Sequence, residues 1–318
     1  MVRLSVIIVN WNTRELLERC LCSVYRTETA LQAEVIVVDN ASGDGSVEMV
    51  ASRYPEAILI ANPENRGFAR ANNQAMERAT GDYLLLLNPD TEVLGHALSE
   101  MIEYADQHPE VAVVGPHLLN PDGSVQSSRR RFPTPATAFL ESTVLQRWVP
   151  NHAALRRYYL LDRSDSEVQE VDWLVGACLL VRADAARQVG PMDEGYFMYS
   201  EELDWCKRFA AKGWKLVYTP TAQVVHFGGQ SSDQDVYGRH IQFQYSKGRY
   251  FEKYHGSFFA QLLRLFILGN YLFLLGEDLL KLVLSPRKRS MRRQRIRTLR
   301  QVIGWLIRWV ASMGRVSP

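Results

Sequence analysis

From Leu4 to Leu87 the chain alternates short apolar runs with segments whose apolar residues recur at helical spacing, and this alternation restricts the fold more than any other feature. Leu4 to Val9 is an apolar run ending at Asn10. From Thr13, a good N-cap, Leu16, Leu17, Cys20, Leu21 and Val24 fall on one helical face. The unit then repeats. Val35 to Val38 predicts a strand, Ser46 opens a short helix, Ile58 to Ala61 predicts a strand, Phe68 to Ala79 a helix and Tyr83 to Leu87 a strand. Continuous apolar strands between amphipathic helices predict an α/β fold with a mainly parallel central sheet and helices on both faces. Ligands of such sheets lie beyond the carboxyl ends of the strands, and the polar signatures of this half fall there.

The 318 residues, 47% of them apolar, suffice for a sizeable core. The net charge of +2 hides an asymmetry: residues 285–318 carry ten Lys or Arg and no acid, so the remainder is acidic by eight. Cys20, Cys22, Cys178 and Cys206 form no CxxC pair and are expected as packing residues of a reducing compartment. Residues 1–12 open on a strand pattern with no signal-peptide pattern, which predicts a cytoplasmic protein.

The first predicted strand ends in Asn10-Trp11-Asn12, the second in Asp39-Asn40-Ala41-Ser42 and the fourth in Asn88-Pro89-Asp90. A GxGxxG after the first strand and a GxxxxGK[ST] anywhere are absent, which disfavours dinucleotide dehydrogenases and P-loop phosphotransferases. Asp39 suits a ribose or base contact, or equally a solvated turn. Asn65-Arg66-Gly67-Phe68, with Arg70 and Asn73, sets cations and amides at a helix start where an anionic diphosphate is favoured. Asp90 offers an oxygen ligand for a hard divalent cation, and His226 in His226-Phe227-Gly228-Gly229 offers a nitrogen to complete a Mg²⁺ or Mn²⁺ site. Glu201, Glu202 and Asp204 crowd among Phe197, Tyr199 and Trp205, costly for carboxylates unless exposed or used.

Together these strings, with Val37-Val38-Asp39-Asn40-Ala41-Ser42, Gly176-Ala177 and Tyr199-Ser200-Glu201-Glu202-Leu203-Asp204-Trp205, resemble glycosyltransferase family 2, especially its rhamnosyltransferase-like branch, over about residues 3–253. The resemblance implies a GT-A fold and an inverting sugar transfer from a nucleotide diphosphate sugar, dTDP-rhamnose first and UDP-sugars next. It implies that Trp11 and Asp39 hold the nucleoside, that Arg66, Gly67, Asn73 and Asn88 line the donor site, that Asp90 and His226 bind the divalent cation, and that Glu202 is the base, with Asp204 able to share that work. Three positions depart from the family pattern. Asn88 stands at the first place of an Asp-any-Asp motif, Glu202 where Asp is common, and Ser200 where an aromatic is frequent. The rivals are a nucleotidyltransferase, which would release pyrophosphate, and a noncatalytic sugar-binding scaffold.

The expected domains are 1–253, a glycosyltransferase domain with a nucleotide half (1–116) and an acceptor half (117–253), and 254–318, a basic amphipathic helical extension. Asn120 to Arg131 predicts a mobile loop whose Arg129-Arg130-Arg131 either meets the pyrophosphate of a lipid-linked or polysaccharide acceptor or is simply solvated. Residues 136–170 are expected to cover the acceptor side. After Tyr254, the longest charge-free run, Leu265 to Gly276, is twelve residues, too short at about 1.5 Å each for a core of roughly 30 Å. A surface-lying helix pair on an anionic membrane is therefore expected, with eight basic residues from Arg287 to Arg300 facing headgroups and Val302, Trp305, Leu306, Trp309 and Val310 as the apolar stripe. No nucleic-acid partner is expected, and the oligomeric state is open.

Overall fold

The computed structural model describes residues 3–27, 31–284, 289–315 and 317; Arg287 and Lys288 of the basic cluster lie outside them. The chain divides into two compact units, residues 1–132 with 159–231, and residues 133–158 with 232–318.

The first unit is built on the strands β1 (Leu4–Asn10), β2 (Ala33–Asp39), β3 (Ile58–Ala61), β4 (Tyr83–Leu87), β5 (Thr91–Val93), β6 (Val111–Leu119), β7 (Arg129–Arg130), β8 (Gln169–Val171), β9 (Trp173–Leu174), β10 (Cys178–Arg182) and β11 (Lys215–His226). Its helices are α1 (Arg14–Thr27), α2 (Ser46–Arg53), α3 (Phe68–Met76) and α4 (Ala97–Gln107), with Ala183–Val189 and Glu201–Ala211 further on. The main sheet runs β3-β2-β1-β4-β10-β6-β11-β5, and β8 also pairs with β11. The block β3-β2-β1-β4 is wholly parallel. Every residue of β1 is buried, as a strand covered on both faces requires. Leu4, Val6 and Ile8 join a core with Leu17 and Leu21 of α1, Met49 of α2 and Met101 of α4. Each such side chain contributes about 2 kcal/mol by leaving water.

Three strands break the parallel pattern: β5 and β8 each pair antiparallel with β11, and the third, β10, lies within the sheet. β10 runs antiparallel to both β4 and β6, with Cys178 opposite Leu87. After β6 the chain leaves the sheet at its carboxyl edge and re-enters from there, so the returning strand must point the other way.

The stretch from Asn120 to Arg131 is tied down. Gln126 N donates to Leu118 O at 2.8 Å, and β7 pairs with β9. None of its three arginines stands as a bare solvated cation. Arg129 is buried, bonded to Asp165 and to Ser164 O, and stacked 4.9 Å from the Tyr218 ring. Arg130 donates to Ser127, and Arg131 pairs with Asp172 at 2.9 Å. Cys20, Cys178 and Cys206 are buried as expected, but Cys22 is exposed.

The second unit contains α5 (Pro135–Leu140), α6 (Val144–Trp148) and α7 (Ala153–Tyr158). In the first unit the two helices noted above become α8 (Ala183–Val189) and α9 (Glu201–Ala211). The second unit continues with α10 (Val236–Leu284) and α11 (Arg289–Ala311). Residues 133–158 thus belong with the carboxyl-terminal helices. α10 changes direction at Gly256, whose φ of 83° and ψ of 163° are not helical. By length and composition α10 is apolar enough to cross a membrane. Length and composition alone do not make it a span, and Arg264, which interrupts the apolar run, is buried: it bonds Glu252 and Met313 O and stacks on Trp309.

The apolar stripe of α11 does not face outward. Val302, Trp305, Leu306 and Trp309 are buried in the pairing with α10, where Gly248 leaves room for the Trp309 ring. A stripe in the sequence shows that something must cover it; here a neighbouring helix does.

Arg129→Met removes a buried charge-assisted network, so chemical denaturation should show a loss of about 2 kcal/mol. Unchanged stability with weakened acceptor binding would return Arg129 to an acceptor role.

Candidate active site

Parallel register brings three loop starts to one edge. Asn10 lies beside Asp39, and Ile8 beside Leu87, one residue before Asn88. Asn10 Nδ2 donates to Asp39 Oδ2 at 2.9 Å, and Ser42 N donates to Asp39 Oδ1 at 2.8 Å. Asp39 is thereby buried and fixed, with lone pairs left on both oxygens. Thr13 bonds Asn10 through its hydroxyl, and it is Asp44 that accepts the Arg14 N–H at the start of α1. Trp11 stands half-buried at the end of β1.

Gly67 precedes α3 with φ +82°, and a Cβ there would come within 2.5 Å of Phe197 O. Phe68 N donates to that carbonyl at 2.7 Å, which clamps the start of α3 to the segment leading into α9. Only glycine fits, by space and by φ. Asn73 is buried and occupied: its amide donates to Met192 O and Glu194 Oε1 and accepts from Met192 N. Its place is a clamp on residues 192–194. Arg66 differs, since its Nε is buried with no hydrogen-bond partner and Glu64 is no nearer than 4.0 Å.

The turn after β4 meets the end of β11. His226 Nε2 lies 3.3 Å from Asp90 Oδ1 and 3.5 Å from Asn88 Nδ2, while Asn88 Oδ1 is buried without a partner. Gln126, which the sequence did not single out, orders this corner. Its Nε2 donates to Asn120 Oδ1 and His226 O, which orients the amide so that Oε1 accepts the His226 Nδ1 proton at 2.6 Å. The Nε2 lone pair is left facing Asp90, the tautomer that a metal ligand requires. No group of three or more His, Cys, Asp or Glu side chains is poised for a metal among the described residues. One carboxylate, one imidazole and an unpartnered amide oxygen therefore fit a hard cation that takes its remaining ligands from phosphate and water. Cys20 Sγ contacts Asn88 O beneath this turn, and burial pushes its thiol up to about 12, so it stays protonated.

α9 carries the acidic cluster, and its three carboxylates are not equivalent. Asp204 is 0% exposed and bound by Arg208 Nε at 3.0 Å, with Arg208 also holding Val189 O and Pro191 O. Glu202 keeps a buried, unpartnered Oε2, and a Cβ at Gly176 would stand 3.4 Å from its Cγ. Burial pushes the Glu202 carboxyl up, and the backbone N–H groups of Glu202, Leu203, Gly176 and Ser200 pull the other way. Glu201 lies well above the usual range, through burial first and the charge of Glu202 second. Ala177, just before β10, accepts the Asn88 N–H at 2.9 Å, so the Gly176 against which Glu202 packs is the neighbour of the residue bonded to the Asn88–Asp90 turn.

Residues 5–189 match the model of Glycosyl transferase family 2. The chain belongs to glycosyl transferase family 2. It is 31% identical over 243 residues to the N-acetylglucosaminyl-diphospho-decaprenol L-rhamnosyltransferase of Mycobacterium tuberculosis, covering 73% of this chain and 78% of that one. Rhamnosyltransferase WbbL of Escherichia coli is 28% identical over 169 residues, covering 51% and 61%. The fold is similar to that of a mannosyltransferase from Pyrobaculum calidifontis, described in complex with GDP-Man and Mn²⁺, which superposes with TM-score 0.54 at 17% identity over 98% of this chain and 86% of that one. The protein is a GT-A glycosyltransferase of the rhamnosyltransferase-like branch.

Gln126→Leu should release the His226 ring and weaken Mn²⁺ binding in the presence of dTDP by about tenfold, read by electron paramagnetic resonance. Undiminished affinity would make Gln126 a loop residue only.

Proposed function

We propose that this glycosyltransferase transfers rhamnose from dTDP-rhamnose to a lipid-linked acceptor, with inversion and with the help of a divalent cation, in cell-surface glycan synthesis. The observation that carries the reading is the pairing of two unlike groups at one sheet edge: the Asn88–Asp90–His226 corner and, beside it, a buried carboxylate at Glu202 with a free oxygen. The named rhamnosyltransferase relatives, one acting on a diphospho-decaprenol-linked sugar, support the choice of donor and acceptor.

On this reading Trp11 and Asp39 hold the nucleoside, and Arg66, just before the start of α3 and with an unbonded Nε, meets the diphosphate. Asp90, His226 and the Asn88 amide oxygen would hold Mg²⁺ or Mn²⁺, which neutralises charge gathering on the leaving phosphate oxygens. Glu202 takes the proton from the attacking acceptor hydroxyl. Its desolvation makes it a stronger base than a surface carboxylate. Asp204, occupied by Arg208, positions α9 and leaves proton transfer to Glu202. One displacement with nucleophile and leaving group on opposite ring faces inverts the anomeric carbon, the geometry of inverting glycosidases. The enzyme works from the cytoplasm at the inner face of the membrane, where such an acceptor presents its sugar.

A panel of nucleotide sugars tests the donor. dTDP-rhamnose should give the largest thermal stabilisation and release dTDP only when acceptor is present; preferential stabilisation by another donor would reassign the sugar. Glu202→Gln should lower turnover by about a hundredfold with donor affinity nearly unchanged. In the wild-type enzyme, kcat/KM should fall on acidification through a limb above the ordinary Glu range, because burial raises this pKa and the base must be ionised. Asp204→Asn should act mainly on stability. A larger turnover loss in Asp204→Asn than in Glu202→Gln would exchange their roles.

A further inference from the structure

The outer face of α10 has no partner among the described residues. Phe258, Leu262, Leu265, Leu272, Leu279 and Val283 are exposed, Phe258 to 80%, with exposed Gly269 and Gly276 completing the same row at alternating steps of four and three. Phe273, Leu280 and Leu284 widen it on one side. The polar residues of this segment point elsewhere. Arg264 is 2% exposed and engages Glu252 and Trp309, Asn270 accepts from Val144 N, and Asp278 pairs with Arg295 of α11. Glu277 and Lys281 lie beside the row and pair with each other, so the row itself carries no charge and is exposed, the reverse of a helix facing water.

We infer that this face of α10 is a membrane seat, sunk into one leaflet along its length without crossing it. Two observations select a bilayer over a second copy of the chain, and a third selects an in-plane seat over a span. First, the apolar arc, from Leu279 on one side through Phe258 to Leu284 on the other, spans about 140° at the helical turn of ~100° per residue, wider than the a/d seam of a coiled coil. Second, Trp148 is 59% exposed and lies edge-on to Phe273 at 5.4 Å, placing an indole at the border of the apolar face, as at a lipid–water interface. Third, α11 packs along α10 with Arg293, Arg297, Arg300 and Arg308 exposed. Those cations would lie in hydrocarbon if the pair crossed the bilayer, whereas beside an in-plane helix they meet anionic headgroups. The seat thus belongs to α10, with α11 as its charged backing. The inference rests on the proposed membrane-borne acceptor for its purpose alone.

The test uses full-length protein and vesicles of phosphatidylcholine with or without phosphatidylglycerol. Wild type should float with the anionic vesicles, and Leu265→Glu/Leu272→Glu should lose about tenfold or more of that binding while keeping its circular dichroism and its donor-dependent thermal shift. Brominated lipid should quench wild-type fluorescence more than that of Trp148→Phe. A wild-type protein that floats with neither vesicle, or a double variant that floats equally well, overturns the inference. So does a wild-type dimer that ignores vesicles and becomes monomeric in the double variant. Flotation without sugar transfer would leave the seat standing and refute the proposed function instead.

Discussion

The hydrogen-bonded pairing of β4 with β10 is the constraint on which the candidate site depends. β4 delivers the Asn88–Asp90 turn to the carboxyl edge of the parallel block. β10 starts beside it in the opposite sense, so the Gly176–Ala177 segment lies against that turn and accepts the Asn88 N–H. Glu202 rests on Gly176, and β11 brings His226 through its pairing with β5, His226 opposite Thr91. A parallel strand in the place of β10 would begin at the far edge and take the Gly176–Ala177 link between α9 and the Asn88–Asp90 turn away.

Around that pairing, neighbouring carboxylates acquire different characters. Asp90 faces an imidazole lone pair oriented by Gln126, Asp204 is neutralised by Arg208, and Glu202 is desolvated with one oxygen unengaged. Burial without a partner opposes ionisation, whereas burial with a guanidinium holds the charge in place. The same principle divides the second unit, where Arg264 and Asp278 are charged and buried because each has a partner, and their helix is left with an apolar exterior.

Much of this was legible in the sequence, wherever burial imposes a local period. The parallel block shows as apolar runs because its strands are covered on both faces, and the strand-end polar residues mark the edge where ligands bind. What escaped depends on partners distant in sequence. Gln126 has no local signature; its meaning comes from His226, one hundred residues later. Arg129, Arg130 and Arg131 look like a free basic cluster until Asp165, Tyr159 and Asp172 fold against them. The stripe of α11 was visible, but a stripe does not name what covers it. The distinction between Glu202 and Asp204 lay partly within reach, since Arg208 stands four residues after Asp204 on the same helix face.

The central claim is that one carboxylate, Glu202, activates the acceptor on the face opposite a diphosphate held at the Asp90–His226 corner. The anomeric configuration of the product tests it most directly. Proton magnetic resonance, following transfer from a nucleotide sugar of known configuration before the product equilibrates, should show only the opposite anomer. A product with the donor's configuration would require a second nucleophile or a front-face route and would contradict the account.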